Sequence, residues 1–283
     1  MLLTIVLLLS VLSGAGLCLA AGGFENYGWL WQLPVGFLGG FLVSTALAFG
    51  ILVVVINRFD PDGVYEEDSP WFRAMIMTYI HAIITVLPIK VKKQGMEKFR
   101  VEGRFLLVCN HLDNIDPAFL YYAFPKGQLA FIAKKEVRDM FLVGHALPKL
   151  LCTLIDREND REALKSILRC ISLLKNDRVN IGVFPEGRIN KYRKLAHFRP
   201  GVFKIAQKAN VPIVVCTIRN TNHVIGRLLK GKGSTVDIRL LEVIPAEQLQ
   251  GVTTVEIADR VYALMAADLG AENILTPEEE ENA

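Results

Sequence analysis

A short apolar segment, residues 105–109, leads directly into polar residues whose types and spacing suit proton transfer: Asn110, His111 and Asp116. The segment predicts a buried strand, and open α/β sheets gather reactive groups at the carboxyl ends of strands. Asp116-Pro117 is typical of a helix start, with Asp as the N-cap. This arrangement lets Asp116 fold back toward His111, giving a general base and its orienting carboxylate. The pair alone leaves a second interpretation open, in which Asp116 only caps the helix and His111 is a loop histidine.

A second polar cluster ends another predicted strand, at residues 184–188 with the sequence Phe-Pro-Glu-Gly-Arg. Gly187 permits a tight turn, Glu186 places an anion at the strand mouth, and Arg188 has the charge to hold a phosphate. Pro-Glu-Gly by itself is also an ordinary turn. Because it shares the chain with the His-Asp pair, and both clusters follow strands, together they indicate one active site more strongly.

The elements that must position these clusters alternate between strands and helices from about residue 95. The predicted strands are the apolar runs 105–109, 129–133, 179–184, 211–218 and 235–244. Helices are predicted to start at Asn159 or Asp160, at Pro200, and after a capping box at Thr253. We therefore predict one α/β domain over residues 95–270, and an acidic, disordered tail over residues 271–283.

The cysteines allow one further interpretation of the first cluster. Cys109 lies two residues before His111 on a predicted strand end, so the two side chains could share a face and act as a nucleophile and its base. A core cysteine on an apolar strand is the interpretation we favour. The five cysteines are scattered along the chain, which predicts a reducing compartment and no zinc site.

The first 56 residues differ from the rest, because Glu25 is their single charged side chain. Leu2–Ala21 and Leu33–Ile56 are uncharged runs, each long enough to cross roughly 30 Å of hydrocarbon as a helix. The first run could instead be a signal peptide, but it lacks a positively charged start. We therefore predict a transmembrane hairpin over residues 1–57.

Basic residues predict the orientation of this hairpin. The connection 22–32 contains no Lys or Arg, whereas the chain after residue 56 is rich in both. The positive-inside rule then predicts a multi-pass protein of the cell membrane with its main domain in the cytoplasm. Residues 58–94 are predicted to be a linker and an interfacial helix, 71–87, that lies against the membrane or docks on the domain. The net charge of +3 suits an anionic leaflet and phosphorylated ligands, and is too small to indicate nucleic-acid binding.

Four ordered sequence blocks resemble those of the glycerolipid acyltransferase family, in particular its bacterial 1-acyl-sn-glycerol-3-phosphate acyltransferases. The first block of that family, Asn-His-x4-Asp, is met by residues 110–116. The other blocks are Ala133–Val137 with Ile155–Arg157, Phe184–Gly187, and Val211–Val214 preceded by Phe198–Gly201. The family usually has Thr-Arg after Pro-Glu-Gly, whereas this chain has Arg188-Ile189. Either the guanidinium is displaced by one residue, or Lys191 and Arg193 supply the charge.

The resemblance implies an α/β fold with a mixed sheet flanked by helices. It also implies transfer of an acyl chain from acyl-CoA or acyl-carrier protein to the free hydroxyl of 1-acyl-glycerol-3-phosphate, giving phosphatidic acid without a further cofactor. His111 would take the hydroxyl proton and Asp116 would hold the imidazolium, so the hydroxyl attacks directly and no acyl-enzyme is expected. The implied substrate-binding residues are Asn110, Lys134, Arg157, Glu186, Gly187, Arg188, Lys191 and Arg193. Lys134 and Arg157 are equally well explained as surface charges.

Other functions remain open from the sequence. The same chemistry could serve another lysophospholipid or an amino lipid, because Arg188 is displaced. A metal-dependent hydrolase could use His111, Asp113 and Asp116, although no second cluster with metal-ligand spacing appears in the sequence. A membrane tether without activity has no need for the His-Asp pair. A lipid acceptor fits the predicted membrane hairpin independently, since such substrates reside in the bilayer.

Overall fold

We describe the protein from a computed structural model, which covers residues 2–23, 27–156 and 159–282, without the side chains of Asp160 and Glu281. The chain divides into two compact units, residues 1–61 and 62–283. The helices of both units are α1 (Leu2–Ala20), α2 (Trp29–Ile56), α3 (Pro70–Val86), α4 (Asp116–Ala123), α5 (Val143–Lys149), α6 (Asp160–Lys175), α7 (Lys204–Ala209), α8 (Thr221–Leu228), α9 (Thr254–Leu269) and α10 (Pro277–Glu281).

The first unit consists of α1 and α2, which pack against each other. Their close approach depends on small residues, since a Cβ on Gly36 would lie 2.8 Å from the Cα of Gly14. Many large apolar side chains point outward, such as Leu12 at 66% exposure and Leu47 at 62%. Both helices are long and apolar enough to cross a membrane by length and composition. That they do cross one stays a prediction.

The second unit is built on one mixed sheet. Its strands are β1 (Ile89–Gln94), β2 (Leu106–Cys109), β3 (Leu129–Lys134), β4 (Thr153–Ile155), β5 (Asn180–Val183), β6 (Ile213–Arg219) and β7 (Ser234–Ile244). Their order across the sheet is β1-β7-β6-β2-β5-β3-β4. Strands β6, β2, β5, β3 and β4 run parallel, whereas β7 is antiparallel to β6 and β1 follows the direction of β7. The carboxyl ends of β2, β5 and β6 therefore meet at one edge.

All five predicted strands are present, and the mixed α/β fold is confirmed. The central strand β2 is buried along its whole length, which explains its uniformly apolar sequence. The capping box between Thr253 and Glu256 is also as predicted, and Asn159 caps α6 by accepting from the backbone N–H groups of Arg161 and Glu162. The helix predicted at Pro200 starts differently, with one 3₁₀ turn over Pro200–Phe203 before α7.

The predicted domain start at residue 95 is wrong. Strand β1 belongs to the sheet, and α3 docks on the domain through a buried arginine. Arg73 Nη1 donates to the carbonyl of Leu129 at 2.6 Å, Nη2 donates to that of Leu150 at 3.0 Å, and Nε pairs with Asp68 at 2.8 Å. These bonds satisfy the buried guanidinium, so residues 62–94 are part of the folded unit rather than a linker.

The prediction of a disordered tail is also wrong for the described residues. Leu195 and Ile274 form a parallel β-bridge, and Thr276 caps the short helix α10. Two acidic side chains of the tail bind basic residues of the loop after β5. Glu279 lies 2.8 Å from Lys194 Nζ, and Glu280 lies 2.6 Å from His197 Nδ1. The tail is ordered because its charges have specific partners.

Candidate active site

The loop between β2 and α4 folds around one carboxylate. Asp116 is completely buried, and its Oδ2 accepts from His111 Nδ1 at 2.8 Å, from the backbone N–H of Leu112 at 2.7 Å and from that of Asp113 at 2.9 Å. The predicted approach of Asp116 to His111 is therefore present. Its predicted role as N-cap is wrong, because Ile115 holds the N-cap position and Asp116 is the first residue of α4. The carboxylate fixes the preceding loop instead.

The imidazole of His111 is held from a second side by aromatic stacking. Its ring lies 4.0 Å from that of Phe184 with planes 13° apart, and Phe184 stacks in turn on Phe131 at 5.8 Å. The His111 side chain keeps 15% of its surface exposed. Since Nδ1 donates to the carboxylate, Nε2 is the nitrogen free to accept a proton, which is the tautomer that a general base requires.

Glu186 holds the loop that carries His111 through a hydrogen bond to its backbone. Its carboxyl group is buried, and Oε2 accepts from the backbone N–H of His111 at 3.2 Å. Burial raises the pKa of Glu186 well above its ordinary value, and the nearby charge of Asp116 adds to this, against the opposing hydrogen bond from His111. We expected an anion that shapes a substrate pocket. The structure shows a side chain that faces inward and fixes the backbone beside the imidazole.

The turn after β5 brings several basic side chains to the surface. Gly187 adopts φ +77°, and a Cβ at this position would lie 2.9 Å from Nε of Arg199, so the arginine crosses directly over the glycine. Arg188 and Lys191 are exposed, and Lys191 Nζ lies 5.1 Å from the ring centroid of Tyr192. Arg199 was not singled out from the sequence, although it lies in the segment Phe198–Gly201.

Arg193 connects the two polar clusters. Its Nη1 donates to the carbonyl of Leu112 at 2.6 Å, and the same atom lies 3.8 Å from Asp113 Oδ2. The residue itself has φ +57°. This guanidinium is thus placed beside the loop that carries His111, which makes it the best positioned of the predicted phosphate-binding residues.

Three predicted substrate-binding residues remain: Asn110, Lys134 and Arg157. Asn110 is buried, and its amide both donates to the carbonyl and accepts from the N–H of Ile218, so it joins β2 to β6. Lys134 pairs with Glu136 at 2.9 Å on the surface, in agreement with its interpretation as a solvated charge. Arg157 lies outside the described residues.

A cavity of about 360 Å³ opens beside the His111 loop, on the β6–β7 side of the sheet. The residues that line it include Leu112, Arg193, Arg219 and Arg239. Asp268 of α9 lies 3.0 Å from Arg219 and also pairs with Arg239. Sequence reasoning missed this cluster, because its members come from separate elements with no characteristic spacing.

Cys109 is excluded as a nucleophile by its surroundings. Its side chain is completely buried, and burial raises the pKa of its thiol well above the ordinary value. A thiolate at this position is therefore disfavoured, and the core interpretation holds. Among the described residues, no group of three or more His, Cys, Asp and Glu side chains is arranged to hold a metal ion.

Comparison with known proteins places the clusters in one family. Residues 90–219 match the family model described as Acyltransferase, and this segment contains both the His111–Asp116 pair and the turn at Gly187. This segment belongs to the acyltransferase family. The acyltransferase segment includes β1 to β6, and the downstream strand β7 completes the sheet beside them.

Relatives of the acyltransferase segment share a common name. The Caenorhabditis elegans protein acl-2, named as a candidate 1-acyl-sn-glycerol-3-phosphate acyltransferase, is 30% identical over 61% of this chain and 62% of its own length. The 1-acyl-sn-glycerol-3-phosphate acyltransferase of Saccharomyces cerevisiae is 25% identical over 68% of this chain and 63% of its own. The match thus spans less than two thirds of each relative.

One solved structure has a similar fold. The crystal structure of the 1-acyl-sn-glycerophosphate (LPA) acyltransferase PlsC from Thermotoga maritima has a TM-score of 0.58 and 24% sequence identity. The similarity covers 70% of this chain and 79% of that one. At this identity the comparison shows a shared fold.

Proposed function

We propose that this chain transfers an acyl chain from acyl-CoA or acyl-carrier protein to the free hydroxyl of 1-acyl-glycerol-3-phosphate, giving phosphatidic acid. One observation carries the proposal: the hydrogen bond between His111 and Asp116, inside a segment that matches the acyltransferase family. The names of the relatives support the choice of acceptor. No cofactor beyond the acyl co-substrate is needed.

The proposed mechanism is a direct attack. His111 Nε2 takes the proton of the acceptor hydroxyl, and the hydroxyl oxygen bonds to the thioester carbonyl carbon. The C–S bond then breaks, and the imidazolium returns its proton to the leaving thiolate sulfur, which restores neutral His111. Asp116 stabilises that imidazolium across the 2.8 Å hydrogen bond, and Glu186 keeps the loop backbone in place.

The phosphate of the acceptor would bind to the basic turn after β5. Arg193 is the strongest candidate, because it already contacts the loop that carries His111. Arg188 and Lys191 are exposed nearby in sequence and could complete the site. Since Arg188 does not occupy the position expected for the family, acyl transfer to another lysophospholipid or to an amino lipid is the second candidate function.

We further propose that α1 and α2 form a multi-pass anchor in the cell membrane, with the acyltransferase domain on the cytoplasmic side. Their length and apolar composition support this, and the basic residues after residue 56 support the orientation. An anchored enzyme gains from proximity to its lipid acceptor and product, while the soluble donor arrives from the cytoplasm.

A panel of acceptors tests the proposal. The full chain, purified and placed in lipid nanodiscs, is supplied with one radiolabelled acyl-CoA and with lysophosphatidate or lysophospholipids that carry choline, ethanolamine or glycerol headgroups. We expect labelled phosphatidate to be the main product. Preference for another headgroup would select the second candidate function, and hydrolysis of acyl-CoA without transfer to any acceptor would reject both.

A further inference from the structure

The cavity beside the His111 loop contains two arginines, Arg219 and Arg239, that the proposed mechanism does not use. Arg219 and Arg239 line it together with Arg193, Asp237 and His223. A polar cavity of about 360 Å³ falls in the range of ligand sites, roughly 300–1,000 Å³. Three guanidinium groups in its lining favour an anionic ligand.

The two distal arginines are held in fixed orientations. The Asp268 carboxylate accepts from Thr217 Oγ1 at 2.7 Å and from Arg219 Nη2 at 3.0 Å, and its other oxygen pairs with Arg239. Burial opposes ionisation of Asp268, but hydrogen bonds from Thr217 and Arg219 outweigh it, so its pKa is lowered. The Asp268 carboxylate is thus charged and holds both guanidinium groups in place.

Both arginines keep donors for a ligand. Arg219 engages Asp268 through Nη2 alone, which leaves its Nε and Nη1 without a partner among the described residues. Asp268 engages Nη1 of Arg239 and Gln94 accepts from its Nε at 2.9 Å, which leaves Nη2 without a partner among the described residues. Asp237 is the second carboxylate in the lining. Its negative charge is offset by Lys92, whose Nζ lies 3.8 Å from Asp237 Oδ1. The cavity therefore presents pre-organised arginine donors rather than a closed ion-pair network.

The strand spacing of the sheet sets the distance that a ligand must span between His111 and Arg239. His111 follows β2, and Arg239 lies on β7, the second neighbour of β2 across β6. Two strand spacings amount to about 10 Å. In the acceptor, the phosphate is attached to the carbon next to the one that carries the hydroxyl. This connection is too short to reach from His111 to Arg239. In the donor, the whole pantetheine arm separates the thioester from the phosphates.

We propose that this cavity binds the phosphate-bearing end of the pantetheine-linked acyl donor, with Arg219 and Arg239 as the phosphate ligands. The proposal rests on the acyltransferase function proposed above. Arg193 lines the cavity and donates to the carbonyl of Leu112, the residue after His111, so the pantetheine arm would run from Arg239 toward the imidazole. The acceptor phosphate would then bind at the turn after β5, and Arg193 would adjoin both sites.

Kinetics with three donors test this assignment in the full chain in nanodiscs. The donors carry the same acyl chain on CoA, on acyl-carrier protein, or on pantetheine, which has no phosphate. For Arg219→Gln and Arg239→Gln we expect the KM for acyl-CoA to rise on the order of 10-fold or more, because each variant loses a charged hydrogen-bond donor. The kcat/KM for acyl-pantetheine and the KM for the acceptor should stay within about twofold.

Arg260→Gln is the matched control, since Arg260 is similarly exposed and pairs with Glu242 at 2.6 Å outside the cavity. Loss with acyl-CoA alone would assign the site to the nucleotide, and loss with both CoA and carrier protein would assign it to the phosphate they share. Equal loss with acyl-pantetheine, or a rise in the acceptor KM instead, would overturn the proposal.

Binding of coenzyme A alone, measured by calorimetry, separates this proposal from the proposed function. A chain that binds coenzyme A with weaker affinity in Arg239→Gln, yet transfers no acyl group, would retain the cavity assignment and reject the acyltransferase activity. A chain that is active but binds coenzyme A equally well in both forms would reject the cavity assignment alone.

Discussion

Asp116→Asn is the substitution that most cleanly separates charge from geometry at the proposed base. The amide oxygen can occupy the position of Oδ2 and accept the same hydrogen bonds from His111 Nδ1 and the N–H groups of Leu112 and Asp113. The amide nitrogen then replaces Oδ1, which already has no hydrogen-bond partner among the described residues. We therefore expect the loop to keep its shape while it loses one negative charge.

The size of the effect follows from the distance. When His111 becomes an imidazolium, its Nδ1 lies 2.8 Å from a full negative charge. At an effective dielectric constant of about 20, the attraction at that distance is about 6 kcal/mol. Since about 1.4 kcal/mol corresponds to a factor of ten in rate, loss of the charge should reduce kcat by roughly 10⁴-fold. Retention of the neutral hydrogen bond makes this an upper bound.

The assay follows release of coenzyme A from acyl-CoA in nanodiscs that contain lysophosphatidate, with a thiol reagent as the indicator. Thermal unfolding of the same sample checks that the variant is folded. We expect a fall in kcat of at least about 10³-fold with little change in either KM. A folded Asp116→Asn variant with kcat within tenfold of wild type would refute the assigned role of the carboxylate.

Two further predictions concern the turn after β5. The first is Glu186→Gln, for which the raised pKa of Glu186 sets the direction of the pH dependence. Above about pH 4.5 the carboxyl group ionises in the unfolded chain but stays protonated in the folded one. The free energy of unfolding of the wild type therefore falls as the pH rises toward the folded-state pKa. The variant lacks this loss, and its melting temperature relative to wild type should increase from pH 5 to pH 8; an unchanged difference would contradict the burial argument. For Gly187→Ala, φ +77° and the contact with Arg199 should cost about 1–2 kcal/mol, seen as a lower melting temperature. Gly201→Ala, where a Cβ meets no atom within 4 Å, is the control and should change little; equal shifts would reject the strain.

The sequence predicted the strands that are buried and the cluster that follows β2. Residues 105–109 and 211–218 are apolar because β2 and β6 are covered on both faces, so composition alone reveals them. Strand β1 was missed because it lies at the edge of the sheet and alternates with lysines, which resembles a surface segment. Strand β4 has only three residues, too few for a recognisable pattern.

Features that depend on distant partners could not be read from the chain. The order of the tail comes from Glu279 and Glu280, whose partners Lys194 and His197 lie more than 80 positions earlier. The inward orientation of Glu186 depends on the backbone of His111, and the cavity combines side chains from β6, β7 and α9. Such contacts arise from topology, whereas local patterns report only burial and turn chemistry.

A comparison of two histidines tests whether His111 is the proton acceptor in acyl transfer. His197 is also paired through Nδ1 with a carboxylate, Glu280 at 2.6 Å, but it lies exposed on another loop. Phosphatidate formation is measured for His111→Gln and His197→Gln in the same nanodiscs. We expect a loss on the order of 10³-fold for His111→Gln and nearly full activity for His197→Gln. Activity of folded His111→Gln within tenfold of wild type would contradict this role of His111.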